Sequence, residues 1–333
     1  MTTTTSAVPA AARPKKPTLI MRILGETHLA RQESLAFYAM ISPWILGFLV
    51  FTFGPMIYSF YMSFFDWPLR EPPTFVGINN YVRFFSDEVW LKSLQVTVYY
   101  TLGAVPLGLI FAFLLSLLLN QKIPGMPVFR TIFYLPNLVP ATANAVLWLF
   151  VLNAQVGIIN TSLRYVGIQG PAWLGASKWA IPALILMSLW GVGGSMVIYL
   201  AGLQGIPEYL YEAAKIDGAN QFKQFLHITI PMVTPVIFFN LVMGIIGSFQ
   251  VFNQAYIMTQ GGPGRATYFY VYYLYRNAFD YYRMGYGAAM AWFLFAVILV
   301  LTLLNFGLSN KWVFYEAEEI GRASCRERVY ACV

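Results

Sequence analysis

The sequence predicts an all-α membrane protein with six transmembrane helices. Hydrophobic residues make up 58% of its 333 positions and charged residues only 11%, against roughly 25% charged residues in soluble domains. A helix needs about 20 apolar residues to cross roughly 30 Å of hydrocarbon. Six stretches without Asp, Glu, Lys or Arg are long enough, and they lie between Glu33 and Asp66, Lys92 and Lys122, Arg130 and Arg164, Lys178 and Glu208, Lys223 and Arg265, and Arg283 and Lys311.

Residues 1–33 predict a basic, disordered segment on the cytoplasmic side. A run rich in Thr, Ala and Pro is followed by five positive residues: Arg13, Lys15, Lys16, Arg22 and Arg31. Positive charge before a first helix favours a cytoplasmic N-terminus, and six crossings return the C-terminus to the same side. The apolar block at 35–62 is too long for a signal peptide, so we expect a retained first helix.

Residues 34–312 are predicted to form the transmembrane domain, and residues 313–333 a C-terminal tail. Helices two to six are expected at 97–120, 131–152, 179–203, 231–258 and 284–310. Lys311 and Trp312 follow the last helix as an anchor pair for membrane lipid. From about Gly321 the composition changes abruptly, which is typical of an appended, non-native tail. Both cysteines lie there, so no disulfide or CxxC metal site is expected in the membrane domain.

Two of the predicted helices contain unusual residues. Helix three carries Pro136 and Pro140, and prolines in a spanning helix free backbone carbonyls, so we expect a kink. Helix four carries the sequence GVGGS at 191–195. These small residues permit close contact between helices, which is the simpler interpretation, or leave room for a ligand.

Several activities are excluded or disfavoured by missing motifs. No stretch fits the phosphate-binding loop GxxxxGK[ST], and His28 and His227 lack the HExxH spacing, so neither ATP hydrolysis nor a metal or catalytic site is expected in this chain. The basic residues are scattered over every loop, which argues against nucleic acid as a partner. The spans lack the acidic and basic groups of proton relays, so a proton-coupled transporter is disfavoured and the driving force should come from elsewhere.

The segment at 207–231 is charged, yet it lies between two apolar blocks. We expect a helix from Glu208 to about Asp217, a left-handed cap at Gly218, and a second short helix at 221–229 that Asn220 caps and that ends before Pro231. The result is a helix-turn-helix on the cytoplasmic surface. Its small alanines and its exposed carboxylate suit docking into a groove of another protein.

The same segment matches a known pattern. The pattern consists of EAA, then Gly after three residues, Ile after nine more, and Leu-Pro after one more. In this chain its positions are Glu212-Ala213-Ala214, Gly218, Ile228, Ile230 in place of Leu, and Pro231. This pattern resembles the signature loop of permease subunits of binding-protein-dependent ABC importers. SPWILGFLVFTFGP in the first helix, RTIFYLPNLVPATANAVLW in the third and QGGPG after the fifth are similar to the carbohydrate branch, and in particular to the larger maltose-type permease subunit.

The resemblance covers about 42–312, and it implies the following partners. The loop would be a coupling helix seated in a cleft of a cytoplasmic ATPase dimer, which binds ATP and Mg²⁺ while this chain holds no cofactor. A second homologous permease, an extracytoplasmic solute-binding protein, a sugar or polyol solute, and the cytoplasmic membrane of a prokaryote are implied as well. The residues that fall on the coupling pattern are Glu212, Ala213, Ala214, Asp217 and Gly218.

The resemblance also implies solute contacts midway through the later helices. The family positions correspond to Gly191, Val192, Ser195, Gly244, Ser248 and Val251, and the neighbouring Asn240 and Gln250 could add hydrogen bonds. Polar contacts between helices explain each polar residue equally well. Two alternatives stay open. A membrane-embedded lipid-modifying enzyme would have only Glu208, Glu212, Asp217 and His227 near one membrane face, and a stand-alone channel has no necessary use for a docking loop.

Overall fold

The computed structural model describes residues 28–314. Most of them are helical, and the strands in this part of the chain are β1 (Phe65–Asp66) and β2 (Thr74–Phe75), which pair antiparallel and have two residues each. The predicted all-α membrane class is confirmed. Most of the expected basic N-terminal segment, and all but the start of the expected C-terminal tail with its cysteines, lie outside the described residues. The chain divides into two compact units, residues 1–61 and residues 62–333.

The described part of the first unit is one long apolar helix. It comprises α1 (His28–Phe48), a wider π-helical turn (Leu49–Phe53) and most of α2 (Gly54–Met62). The span Arg31–Met62 has 32 residues, and none of its most apolar window is buried inside the structure. An apolar helix of this length fits surrounding hydrocarbon, because its backbone hydrogen bonds are made internally.

The second unit is built around α4 (Glu88–Leu119), which follows α3 (Asn79–Val82) and a short 3₁₀ helix (Arg83–Ser86). Small and apolar side chains line its inner face, among them Ala104, Ala112 and Leu115. Four helices pack around α4: α8 (Ser177–Trp190), α9 (Gly193–Gln204), α12 (Ile230–Phe249) and α13 (Tyr270–Tyr275). The last helix, α14 (Met284–Ser309), packs against α12 and α13. The shorter elements are α7 (Ile158–Tyr165) and the π turns Gln254–Thr259 and Arg276–Asp280, and each of them has at least one buried residue.

Two of the six predicted crossings are bent pairs of helices and not continuous helices. The third consists of α5 (Met126–Tyr134), a 3₁₀ turn (Leu135–Leu138) and α6 (Ala141–Val151), with a bend of 100°. The predicted kink is therefore a complete break, because Pro136 and Pro140 each remove a backbone donor within a short stretch. The fourth crossing bends by 48° between α8 and α9. By length and composition, four continuous helices among the described residues could cross a membrane, or up to six crossings form if each bent pair is one span. The prediction of six corresponds to the upper number.

The charged segment forms α10 (Glu208–Ile216), α11 (Gln221–Gln224) and a π turn (Phe225–Thr229) that runs straight into α12. The expectation that a second short helix ends before Pro231 was wrong. The wider turn accommodates the proline ring, since the Ile230 N–H bonds to the Phe225 carbonyl and the helix continues without a break. We call residues 205–229 the docking loop.

The opposite end of α4 carries a cluster of aromatic residues, which we call the tyrosine end (residues 79–92 and 268–286). Tyr270 makes three hydrogen bonds within this cluster. Its N–H donates to Thr97 Oγ1 at 2.9 Å and its hydroxyl donates to the Met290 carbonyl at 3.0 Å. Trp90 Nε1 donates to the Tyr270 hydroxyl at 3.2 Å. Asp87 also accepts hydrogen bonds from Tyr273 and Tyr286. These bonds join α4, α13 and α14.

Candidate functional site

A cavity of about 390 Å³ lies midway along α4. Its walls come from α4, from the junction of α8 and α9, and from α12 with the turn that follows it. Seven of the eight predicted pathway residues line it: Gly191, Val192, Ser195, Asn240, Gly244, Ser248 and Val251. Gln250 is not among the lining residues, because it is the exposed residue that ends α12.

The break between α8 and α9 supplies backbone polar groups to this cavity. Helix ends leave carbonyl and N–H groups without helical partners. Val192 is the residue just before α9, and its side chain cannot accept hydrogen bonds from the first N–H groups of that helix. Gly191 is the residue just after the last turn of α8. The Gly191 N–H already donates to the Ser188 carbonyl at 3.2 Å, and the Val192 carbonyl accepts from the Met196 N–H at 2.9 Å. A carbonyl at this break can still accept a second hydrogen bond from a ligand, because each carbonyl oxygen has two lone pairs.

The GVGGS segment is divided between helix packing and the cavity. A Cβ atom at Gly193 would lie 2.5 Å from the backbone oxygen of Phe133 in α5, so this position is a close contact between two helices. Gly191 and Ser195 line the cavity instead. Close helix contact therefore applies to Gly193, and space for a ligand applies to Gly191 and Ser195.

The polar side chains of the cavity are neutral. Asn240 is buried and donates through Nδ2 to the Val236 carbonyl at 2.9 Å, and Ser248 Oγ donates to the Ile245 carbonyl at 2.9 Å. Each keeps an oxygen that can accept a hydrogen bond. Among the described residues that line the cavity, none is charged. A neutral ligand rich in hydroxyl groups suits this lining, because an unpaired charge inside a membrane has an unfavourable free energy.

Sequence reasoning missed the wall that α4 contributes. Tyr100, Ala104 and Gly108 line the cavity, together with Ser188 on α8 and Gln254 after α12. The spacing of four residues between the three α4 positions, two of them small, places them on one helical face. That pattern could have indicated the wall.

The turn of the docking loop has a regular helix-ending geometry. Gly218 has φ of +76°, its N–H donates to the Lys215 carbonyl at 3.1 Å, and the Ala219 N–H donates to the Ala214 carbonyl at 2.9 Å. This pair of bonds is the Schellman arrangement, in which glycine avoids Cβ strain. Asn220 Oδ1 then accepts from the Lys223 N–H, so the expected caps at Gly218 and Asn220 are present.

The outer side of the docking loop combines charge with exposed apolar surface. Glu212, Ala213 and Asp217 are exposed and Ala214 is half-buried. Ile216 is 88% exposed and Phe222 is 68% exposed, which the sequence pattern did not single out. Large apolar side chains that are exposed beside charged ones are typical of a protein-binding surface.

The inner side of the docking loop is fixed to the helices. Leu210 and Tyr211 pack against a buried cluster that includes Tyr199 and Val233, and the Tyr211 and Thr229 hydroxyls are 2.9 Å apart. The helix that begins at Gln221 also carries the cavity residues of α12, roughly 30–40 Å further along. The docking loop and the cavity are therefore connected by one helix.

The residues that an enzymatic site near this face would need do not form a cluster. Glu208 lies 3.8 Å from Lys122, and His227 Nδ1 lies 3.0 Å from the Lys223 carbonyl. Within residues 28–314, no three His, Cys, Asp or Glu side chains are arranged to hold a metal ion.

Comparisons with known proteins agree with this architecture. The family described as "Binding-protein-dependent transport system inner membrane component" matches residues 104–311. The chain is 43% identical over 294 residues to the probable ABC transporter permease protein YesP of Bacillus subtilis, which covers 87% of this chain and 95% of the relative. It is 35% identical over 277 residues to the trehalose/maltose transport system permease protein MalF of Thermococcus litoralis, covering 82% and 92%.

A solved structure has the same fold. One chain of a bacterial ABC transporter involved in the import of the acidic polysaccharide alginate superposes with a TM-score of 0.75 at 26% identity, covering 84% of this chain and 96% of that chain. The family match alone spans well over half of the sequence, and YesP is matched over nearly its whole length. The chain is therefore a member of the family of inner membrane components of binding-protein-dependent transport systems.

Proposed function

We propose that the chain is a transmembrane subunit of an ATP-driven sugar importer. It forms part of the solute pathway, and it couples ATP hydrolysis in a partner ATPase to alternating exposure of the central cavity. The observation that carries this proposal is the helix from Gln221 to Phe249, which joins an exposed docking surface to a neutral polar cavity.

Carbohydrate as the solute class is supported by the cavity and by the relatives. Backbone carbonyls at the α8–α9 break, with Asn240 and Ser248, suit sugar hydroxyls. Relatives are named for trehalose and maltose and, in Bacillus subtilis, for arabino-oligosaccharides. A sugar or a related polyol is therefore the solute that we propose.

The proposed assembly has three further kinds of protein. A second homologous permease completes the pathway, and a dimer of cytoplasmic ATP-binding subunits holds ATP and Mg²⁺. An extracytoplasmic solute-binding protein delivers the sugar to the tyrosine end. A similar bacterial alginate ABC transporter has been solved in complex with an alginate pentasaccharide-bound periplasmic protein, which supports this last partner. In this arrangement the chain lies in the cytoplasmic membrane of a prokaryote, with both termini and the docking loop in the cytoplasm.

The coupling residues are proposed to act as one surface. Glu212, Ala213, Ala214 and Asp217 would meet a groove of the ATPase, and Gly218 holds the turn that presents them. Ile216 would supply the apolar centre of the contact, since charged surroundings and a buried apolar core are typical of specific interfaces.

The first prediction tests this surface with a pair of variants. Ile216→Asp places a charge in the proposed contact without disturbing the fold, because the side chain is 88% exposed. We expect this variant, purified with its partners in proteoliposomes, to lose at least tenfold in ATP-dependent sugar uptake and to retain less ATPase subunit. Ile216→Leu is the matched control and should keep both.

Normal uptake and normal ATPase retention by Ile216→Asp would contradict the coupling role of this surface. Uptake that continues without ATP would favour a stand-alone channel instead. A stoichiometric metal in the purified chain, together with turnover of lipid, would favour the enzymatic alternative.

A further inference from the structure

The helix that carries the cavity residues contains a second proline close to the docking loop. Pro235 lies inside α12, one turn after Pro231. Proline has no N–H, so the Pro231 carbonyl lacks the helical donor that another residue at position 235 would supply. Such a gap commonly becomes a kink. α12 nevertheless continues through it from Ile230 to Phe249.

Thr234 supplies the missing donor. Its Oγ1 donates to the Pro231 carbonyl at 2.6 Å, and the residue is only 8% exposed. The same oxygen accepts the backbone N–H of Phe314 at 2.9 Å. A hydroxyl that donates and accepts at once is polarised by both partners, so each of the two bonds strengthens the other. One side chain of α12 is thereby joined to the segment that follows α14.

This segment is residues 311–314, which we call the C-terminal brace. It leaves α14 in a tight turn, in which the Trp312 N–H donates to the Ser309 carbonyl at 3.1 Å. The Trp312 ring packs edge-on against the ring of Phe238, with the centroids 6.1 Å apart. Phe238 is buried and follows Thr234 by one turn on the same face of α12. The brace therefore contacts this face of α12 at two successive turns.

These contacts lie between the docking loop and the central cavity. Thr229 ends the docking loop, and Asn240 is the first residue of α12 that lines the cavity. Thr234 is roughly 8 Å from the first and 9 Å from the second along the helix axis. A flexible point at this place would absorb a tilt before the tilt reached the cavity wall. Thr234 is outside the set of described residues that line the cavity, so it acts on the helix and not on the solute.

We propose that the C-terminal brace holds α12 straight at Pro235, so that movement of the docking loop reaches the central cavity. Thr234 is the positioning residue in this arrangement, because it joins the brace to the carbonyl that the proline leaves free. This inference rests on the proposed ATP-driven import of sugars. It gives Trp312 a role in coupling besides that of an anchor at the lipid headgroups.

The first experiment uses two pairs of variants. Thr234→Val removes the hydroxyl that makes both hydrogen bonds and keeps the branched shape of the side chain, whereas Thr234→Ser keeps the hydroxyl. Phe314→Pro removes only the backbone N–H that reaches Thr234, and Phe314→Ala is its matched control because it keeps that N–H.

Sugar uptake per ATP hydrolysed is measured for the complete complex in proteoliposomes. We expect this ratio to fall about threefold in Thr234→Val and about twofold in Phe314→Pro, since one neutral hydrogen bond changes an equilibrium by a few-fold. ATP hydrolysis should persist in both. Thr234→Ser and Phe314→Ala should keep the wild-type ratio.

The second experiment reports the shape of the helix itself. Spin labels are attached at Leu226→Cys and Met243→Cys, which are exposed positions on either side of Thr234, in a chain whose own two cysteines are replaced by serine. The rise of a helix places these positions about 25 Å apart. We expect one narrow distance distribution with the intact brace and a broader one in Thr234→Val and Phe314→Pro. This measurement needs neither sugar nor ATP.

Three results would overturn the inference: unchanged distances and an unchanged ratio in Thr234→Val, equal losses in Phe314→Pro and Phe314→Ala, or a parallel fall of uptake and ATP hydrolysis without a change in the distances. If Thr234→Val does not assemble, the pair of variants at Phe314 decides alone. Distances that broaden as expected in a complex that imports no sugar contradict the proposed function alone. Normal uptake by the wild type, with unchanged distances in both variants, contradicts this inference alone.

Discussion

One carboxylate at the tyrosine end connects three helices. Asp87 Oδ1 accepts the backbone N–H groups of Val89 and Trp90 at the start of α4, and Oδ2 accepts the hydroxyls of Tyr273 at 2.5 Å and Tyr286 at 2.8 Å. Burial by itself raises the pKa of Asp87, but the four hydrogen bonds outweigh it and hold this pKa below the ordinary value of 3.8. Burial and the bond to Asp87 raise the pKa of Tyr273. The ionised carboxylate is therefore the form that the fold stabilises.

The second prediction concerns this residue. Asp87→Ala removes the cap of α4 and leaves two tyrosine hydroxyls without their acceptor, so we expect a loss of about 2 kcal/mol or more in the free energy of unfolding. Asp87→Asn keeps a capping oxygen and should lose about half as much. Thermal unfolding in detergent measures both, with Asp280→Ala, which breaks a partly exposed pair with Arg276, as the control.

The same residue gives a dependence on pH. Because the pKa of Asp87 is lower in the folded chain than in the unfolded chain, its contribution is complete above an unfolded pKa of about 3.9 and disappears as the pH falls through the folded value. The difference in stability between wild type and Asp87→Asn should therefore narrow below about pH 4. A constant difference between pH 3 and pH 7 would contradict this role.

At the scale of single elements, the breaks in helices differ in how far the sequence reveals them. Pro136 and Pro140 indicate the break between α5 and α6, because proline removes backbone donors wherever it stands. The break between α8 and α9 was not predicted, because the small residues at 191–195 were interpreted only as a close helix contact or as space for a ligand. The contact at Gly193 depends on the backbone of α5, which no local pattern reveals. The continuity from α11 to α12 could not be predicted, since Pro231 normally marks a helix start and only the wider turn before it allows the helix to pass.

The third prediction tests the contact between α5 and α9. In Gly193→Ala the new methyl group would meet the backbone oxygen of Phe133 and, at 3.0 Å, the Cα of Tyr134, and backbone cannot move aside as a side chain can. We expect a loss of roughly 1–3 kcal/mol, as is common for overpacked cores. Gly307→Ala in α14, where a methyl group meets nothing within 4 Å, is the control and should be neutral or stabilising. Equal melting temperatures for the two variants would disprove the contact.

At the scale of the whole molecule, the sequence was sufficient for the helical membrane class and the family, because these depend on composition and on one long motif. The prediction of six crossings lies within the four to six that the structure allows. Seven of the eight pathway positions also meet at one cavity. The wall from α4 was not predicted. The spacing of Tyr100, Ala104 and Gly108 places them on one helical face, but which helices pack against that face depends on distant parts of the chain.

The fourth prediction concerns transmission between the docking loop and the cavity. Leu226→Gly/His227→Gly softens the π turn at two exposed positions, each glycine weakening a helix by about 1 kcal/mol relative to alanine. We expect ATP hydrolysis to persist while sugar uptake per ATP falls severalfold. Leu226→Ala/His227→Ala keeps the helix stiff and should transport within about twofold of wild type. The same ratio of uptake to hydrolysis in both pairs would argue against transmission through this helix.

The helix that runs without a break from Gln221 through Pro231 to the cavity acts as a rigid rod. A rod that pivots at one end moves its other end in proportion to its length, so a tilt of only about 5° at the docking loop displaces the cavity wall, roughly 30–40 Å away, by about 3 Å. That displacement is close to the thickness of a sugar ring. A small rotation imposed at the surface could therefore open or close the space that a monosaccharide unit occupies, without any rearrangement inside the helix itself.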